Sequence, residues 1–187
     1  PYQADVTSYD YDAPVAENGD LTPKFYKIKD IIKKLLPSQV SDRLPNPPAA
    51  IPSESYGTQD VTSHLTFDDL LSNIKSLHTD KVLSQEMLDI HGDKAGQNHG
   101  FTLYRTKCGE AKTVTIQDHP RDRAIIYLNK KEVGVVDFLM NDHATKLDSP
   151  VGENTLDILV ENMSRVNYAE FKTPVLNNQH KGLVKDV

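Results

Sequence analysis

The stretch DRAIIYLNKKEVGVVDF, residues 122–138, carries two apolar runs rich in β-branched side chains, separated by Asn129, Lys130 and Lys131. Valine and isoleucine lose rotamer freedom in a helix but pack well on a pleated surface, and a short polar break between two such runs is the pattern of a hairpin. A hairpin commits the chain to antiparallel pairing, because only antiparallel neighbours can be joined by so few residues.

The same period of two recurs on both sides of the hairpin. GFTLYRTKC, residues 100–108, alternates Phe101, Leu103 and Arg105 with Thr102, Tyr104 and Thr106. TVTIQD, residues 113–118, alternates Val114 and Ile116 with threonines, and TLDILVENM, residues 155–163, sets Leu156, Ile158 and Val160 on one face. Together these segments predict a mainly antiparallel β-sandwich over residues 55–187. Cys108 ends the first strand and reads as an edge or core thiol rather than a nucleophile. Being the chain's one cysteine, it forms no internal disulfide.

Upstream the period lengthens. TFDDLLSNIKSL, residues 66–77, predicts a short helix capped by Thr66, and PSQVSDRLPNPPAAIPSESYG, residues 37–57, holds five prolines and reads as an extended linker, assigned to 37–54. Before it, Thr22 stands at a cap position, Pro23 fits the first helical position, and Phe25, Ile28, Ile31, Ile32 and Leu35 recur at helical spacing up to Pro37. Lysines 24, 27, 33 and 34 read as a solvated flank. The fold class is therefore α+β.

Bulk properties exclude several roles. A chain of 187 residues holds one domain or one and a half. A formal charge of −6 lacks the basic face that nucleic acid requires. The apolar runs fall far short of the roughly 20 residues that a membrane helix needs, so no membrane insertion is expected. The chain opens on Pro1 without a methionine or leader and reads as cut at that end.

TSYDYDAP, residues 7–14, is the most conspicuous polar motif. With Glu17 and Asp20, its aspartates 10 and 12 suggest a calcium loop, but an EF-hand starting at Asp10 meets Val15 where glycine is needed and Leu21 where glutamate is needed. No metal site is expected there. The seven histidines form no HxxxH pair, and HGDKAGQNHG, residues 91–100, reads as a loop. Neither a GxSxG elbow nor a phosphate-cradling glycine loop occurs. Asn162, Met163 and Ser164 spell a sequon for N-glycosylation, at a strand end where the asparagine could be exposed or occluded. Arg165, Asn167 and Tyr168 make a second polar cluster, read as a structural turn or domain contact.

TSYDYDAPVAENGDLTPKFYKIKDIIKKL resembles the segment that closes the catalytic (β/α)8 barrel of glycoside hydrolase family 35 β-galactosidases of the animal, lysosomal type, with SYDYDAP and GDLTPKF at the family's separation. LDILVENMSRVNYAEF followed by HKGLV is similar to the first β-domain after that barrel, and GFTLYRT and DRAIIYLNKKEVGVV fit the same domain. The chain departs from the family in carrying Ser164 and Ala169 where glycine is common.

The resemblance implies a jelly-roll-like β-domain behind a barrel end at residues 1–36. It also implies a parent enzyme that hydrolyses terminal β-galactosides with retention, through two glutamates with carboxyls about 5 Å apart. None of the chain's glutamates stands in either catalytic motif, so the fragment alone is expected to be inactive, with no cofactor. Two residues apart on a strand, Tyr9 and Tyr11 would share a face, and the resemblance places Tyr11 against bound galactose with Tyr9 close by. Asp10 and Asp12 are assigned to backbone and turn support. One strand and one helix cannot close a barrel, so residues 1–36 should leave the apolar helix stripe exposed. The resemblance also implies lysosomal or extracellular localisation. A second reading is a non-catalytic carbohydrate-binding or interaction module built on the sandwich alone.

Overall fold

The chain's computed structural model describes residues 11–89, 92–165 and 179–187. The hairpin forms between β3 (Arg123–Leu128) and β4 (Lys131–Asp137). Its turn is two residues long, with Asn129 and Lys130 at φ of 50° and 71°. Two successive positive φ angles give the loop the twist of its strands, and asparagine tolerates that region better than most residues. The Asn129 carboxamide reinforces the turn, donating to Asn154 Oδ1 at 2.8 Å and accepting from the Thr155 amide at 2.9 Å. Lys131, expected in the turn, already belongs to β4.

β1 (Gly100–Cys108) and β6 (Asn154–Asn162) join this hairpin in an antiparallel sheet of order β1-β6-β3-β4. A second sheet pairs β2 (Thr113–Thr115) with β5 (Ala144–Lys146). The sequence pattern had not marked β5. It is only three residues long, and one of them, Thr145, is buried.

Register decides which face is inside. Val160 stands between Thr102 and Ala124, Ile158 between Tyr104 and Ile126, and Leu156 between Thr106 and Leu128. Opposed residues project to the same side, so these rungs meet Val114, Ile116, Val136, Leu147 and Leu183 in one core. Each fully buried aliphatic side chain there contributes about 1.5–3 kcal/mol. Leu156, Ile158 and Val160 take the inner face as their alternation predicts. In β1, by contrast, Thr102 and Tyr104 face inward and Phe101 is 55% exposed. Cys108 is half-buried and packs against the core.

The described residues gather into two compact units that divide between Thr66 and Phe67. The first holds α1 (Pro23–Leu35), which starts and stops where the cap and proline signals indicate. Thr22 stands at its cap position but makes no capping bond: its hydroxyl instead donates to the Ala13 and Pro14 carbonyls at 3.0 and 2.9 Å. α1 has no buried residue, and Ile28, Ile31, Ile32 and Leu35 of its apolar stripe are exposed. Phe25, Ile28 and Ile32 line an apolar groove with Pro14, Leu44 and Pro45. A four-residue helix, α2 (Ser38–Ser41), interrupts the segment expected to be extended throughout. The second unit opens with α3 (Phe67–Asn73), where Phe67 stacks on Tyr127 with ring centroids 6.3 Å apart.

Candidate functional site

Two constellations carry the conspicuous polar side chains. The first is the loop between Tyr11 and α1. Asp12 adopts a left-handed φ of 57°. Lys24 of α1 donates to its carboxylate at 2.6 Å and also to its carbonyl. Val15 and Leu21 form an antiparallel bridge, the Thr22 amide donates to Pro14 O at 3.0 Å, and Ala16 and Asp20 close the turn between them. Asn18 holds that turn through bonds to the Asp20 carboxylate and amide. The separation of SYDYDAP from GDLTPKF thus has a physical basis, because each insertion would break this set of bonds. Asp12 acts in turn support, as assigned.

Tyr11 is 77% exposed and lies in a bend at the edge of the described residues. Tyr9 and Asp10 lie outside the described residues. Among the described residues no group of three or more histidine, cysteine, aspartate or glutamate side chains is placed to hold a metal. The same residues contain no helix long and apolar enough to cross a membrane.

The second constellation is an ionic joint at one end of the β-domain. Lys181 donates to both carboxylate oxygens of Asp122 at 2.8 and 2.7 Å, and their side chains are 2% and 0% exposed. The Met163 amide also donates to Asp122, at 2.7 Å. Burial pulls the Lys181 ammonium below its ordinary pKa, and the contact with Asp122 offsets this in part.

The Lys181 amide reaches Glu86 at 3.0 Å, Arg165 pairs with the same carboxylate, and Arg165 also donates to Asn98 O at 2.8 Å. Burial alone would raise the Glu86 carboxyl. Amides of Lys181 and of Glu86 itself, with the Arg165 guanidinium, outweigh that and hold it below its ordinary value. Asn162 donates to Gln85 Oε1 at 2.7 Å and to Asn98 O at 2.8 Å. Both carboxylates are engaged by cations, an arrangement suited to fixing chain segments rather than to moving protons. Of the Arg165, Asn167 and Tyr168 cluster, Arg165 belongs to this joint. The other two lie outside the described residues.

HKGLV acquires a reason residue by residue. Lys181 is the buried cation, and Leu183 is 1% exposed in the core. Gly182 has a φ of 82°, and a Cβ there would come within 2.2 Å of the Tyr104 hydroxyl. That hydroxyl donates to Leu83 O at 2.8 Å and accepts from the Leu183 amide at 3.0 Å; burial pushes its pKa up to about 12.

Residues 93–187 match the family described as β-galactosidase, first all-beta domain, and residues 1–35 match glycosyl hydrolases family 35. The chain belongs to the family 35 β-galactosidases. It is 33% identical over 186 residues to human β-galactosidase-1-like protein 2, covering 98% of this chain and 27% of that protein. Bovine β-galactosidase is 35% identical over 195 residues, with 100% and 27% covered. The β-galactosidase of Xanthomonas manihotis is 32% identical over 168 residues, with 89% and 26% covered. The chain therefore spans about a quarter of the length of the relatives it matches. Within this family 35 chain, the β-domain match encloses Asp122, Asn162, Arg165 and Lys181, whereas Gln85 and Glu86 stand just before it.

Proposed function

We propose that this chain is the barrel end and first β-domain of a retaining β-galactosidase, an enzyme that removes terminal β-D-galactose from oligosaccharides or glycoconjugates. Residues 1–36 supply the last strand and helix of a (β/α)8 barrel, 37–54 the linker and 55–187 a jelly-roll-like sandwich. Tyr11, with Tyr9 beside it, contacts galactose: phenol hydroxyls bond sugar hydroxyls while the rings pack on apolar sugar faces. The two catalytic glutamates belong to barrel strands that are not in this chain, which by itself is inactive. The parent enzyme acts in the lysosome or outside the cell.

One observation carries the reading: residues 1–35 match family 35 itself, while the β-domain match follows in the same chain. Release of nitrophenol from a nitrophenyl β-galactoside tests it. The protein expressed from the full coding sequence should hydrolyse the substrate, and its Tyr11→Phe variant should show a KM raised by roughly 5–30-fold, the loss of one sugar hydrogen bond at about 1–2 kcal/mol. The 187-residue chain should release none. Hydrolysis by that chain above a mock preparation contradicts the absence of the catalytic pair, and an unchanged KM for Tyr11→Phe removes Tyr11 from the pocket.

A further inference from the structure

The sequon at Asn162 competes directly with the ionic joint. Both N–H bonds of the Asn162 carboxamide are in use, one to Gln85 Oε1 at 2.7 Å and one to Asn98 O at 2.8 Å. Its oxygen accepts from the Ser164 amide at 2.9 Å. Gln85 is 1% exposed and cannot withdraw: its side-chain amide donates to His99 O at 3.1 Å, and its backbone amide donates to Lys181 O at 2.7 Å. Asn162 is the point at which the end of β6, the turn at 84–87 and the loop at 97–99 are tied together.

N-glycosylation transfers an oligosaccharide from a lipid-linked pyrophosphate to Nδ2. A carbon–nitrogen bond replaces one N–H, and the pyrophosphate leaves as that proton is lost. The nitrogen then donates a single hydrogen bond, and a pyranose must occupy the position of either Gln85 Oε1 or Asn98 O. We propose that Asn162 is a branch point between glycosylation and folding: the folded chain carries Asn162 unmodified as a structural amide, and a chain glycosylated there cannot close the joint.

Ser164, which completes the sequon, supplies an independent handle. Its φ of 77° lies in the left-handed region, which costs a residue with a Cβ but not glycine. Ser164→Gly therefore removes the sequon and leaves the Asn162 amide bonds intact. Asn162→Asp also removes the sequon, but it deletes both donors and sets a carboxylate against two acceptor oxygens.

The test is secretion of the 187-residue chain from mammalian cells with a second sequon in an appended flexible tag, followed by intact mass measurement of the folded, monomeric fraction with and without peptide N-glycosidase. The expected result is a glycan on the tag and none on Asn162. Ser164→Gly should match or exceed wild-type yield and melt a few degrees higher, and Asn162→Asp should melt roughly 5–10 °C lower. A folded fraction glycosylated at Asn162, or an Asn162→Asp variant with a wild-type melting temperature, overturns the proposal.

Discussion

Lys181→Met removes the cation that donates to both carboxylate oxygens of Asp122 while keeping most of the side-chain volume. In the native chain the ammonium lies 2.8 and 2.7 Å from the two carboxylate oxygens, and neither side chain is more than 2% exposed. The variant retains the 2.7 Å bond from the Met163 amide, which is too little to compensate a carboxylate held out of water. Breaking a buried pair from one side costs about 3–5 kcal/mol, which for a unit of this size corresponds to roughly 10–20 °C in melting temperature.

The companion change Asp122→Asn keeps an acceptor for Met163 but carries no charge. The double variant should therefore be more stable than Lys181→Met alone, with a coupling energy of at least about 1 kcal/mol. Urea unfolding followed by circular dichroism, with four proteins in one cycle, measures it. A Lys181→Met cost below about 1 kcal/mol, or strict additivity of the two changes, refutes the view that the joint holds residues 181–183 onto the β-domain.

Gly182→Ala should cost about 2–5 kcal/mol in the same assay, because the new methyl group meets the Tyr104 hydroxyl at 2.2 Å and the φ of 82° disfavours a Cβ. His119 gives stability a pH dependence. Burial first, and then Arg121, hold its pKa below the ordinary 6.5 despite the adjacent Asp118 carboxylate. The unfolded chain then binds a proton more readily than the folded one as pH falls through 6.5. The His119 contribution is therefore intact above that value and lost below it. Urea midpoints at pH 7.5 and 5 should differ less for His119→Gln than for wild type, and an unchanged difference contradicts the assignment.

Local elements were legible in the sequence where one residue type has one physical consequence. Pro23 and Pro37 bracket α1 because proline has no amide to donate and a fixed φ. The β-branched runs in 122–138 mark strands because such side chains pack well on a pleat, and the alternation in 155–163 does so because side chains on a pleat change face at every step. β5 carries no signal in the sequence because three residues are too few to show a period. The alternation in β1 does not say which set faces inward; pairing of Thr102 with Val160 and of Tyr104 with Ile158 sends that set to the core and leaves Phe101 exposed.

The joint shows the same division more sharply. Asp122, Glu86 and Lys181 are unremarkable as single residues, and the bond from Lys181 to Glu86 spans 95 positions, so no spacing rule connects them. Thr22 was legible as a helix start but not in its actual bond, since a hydroxyl takes whichever acceptor the fold brings closest.

By itself, then, the sequence determined α1, the longer strands, the antiparallel class and the family, because propensity, periodicity and motif order are properties of neighbouring residues. Only the tertiary structure decided which face of each strand is buried, why HKGLV needs its lysine and glycine, and that the Asn162 amide is already engaged. Burial and hydrogen bonding are settled by segments far apart in the chain, and their partners exist only once the sheet has closed around them.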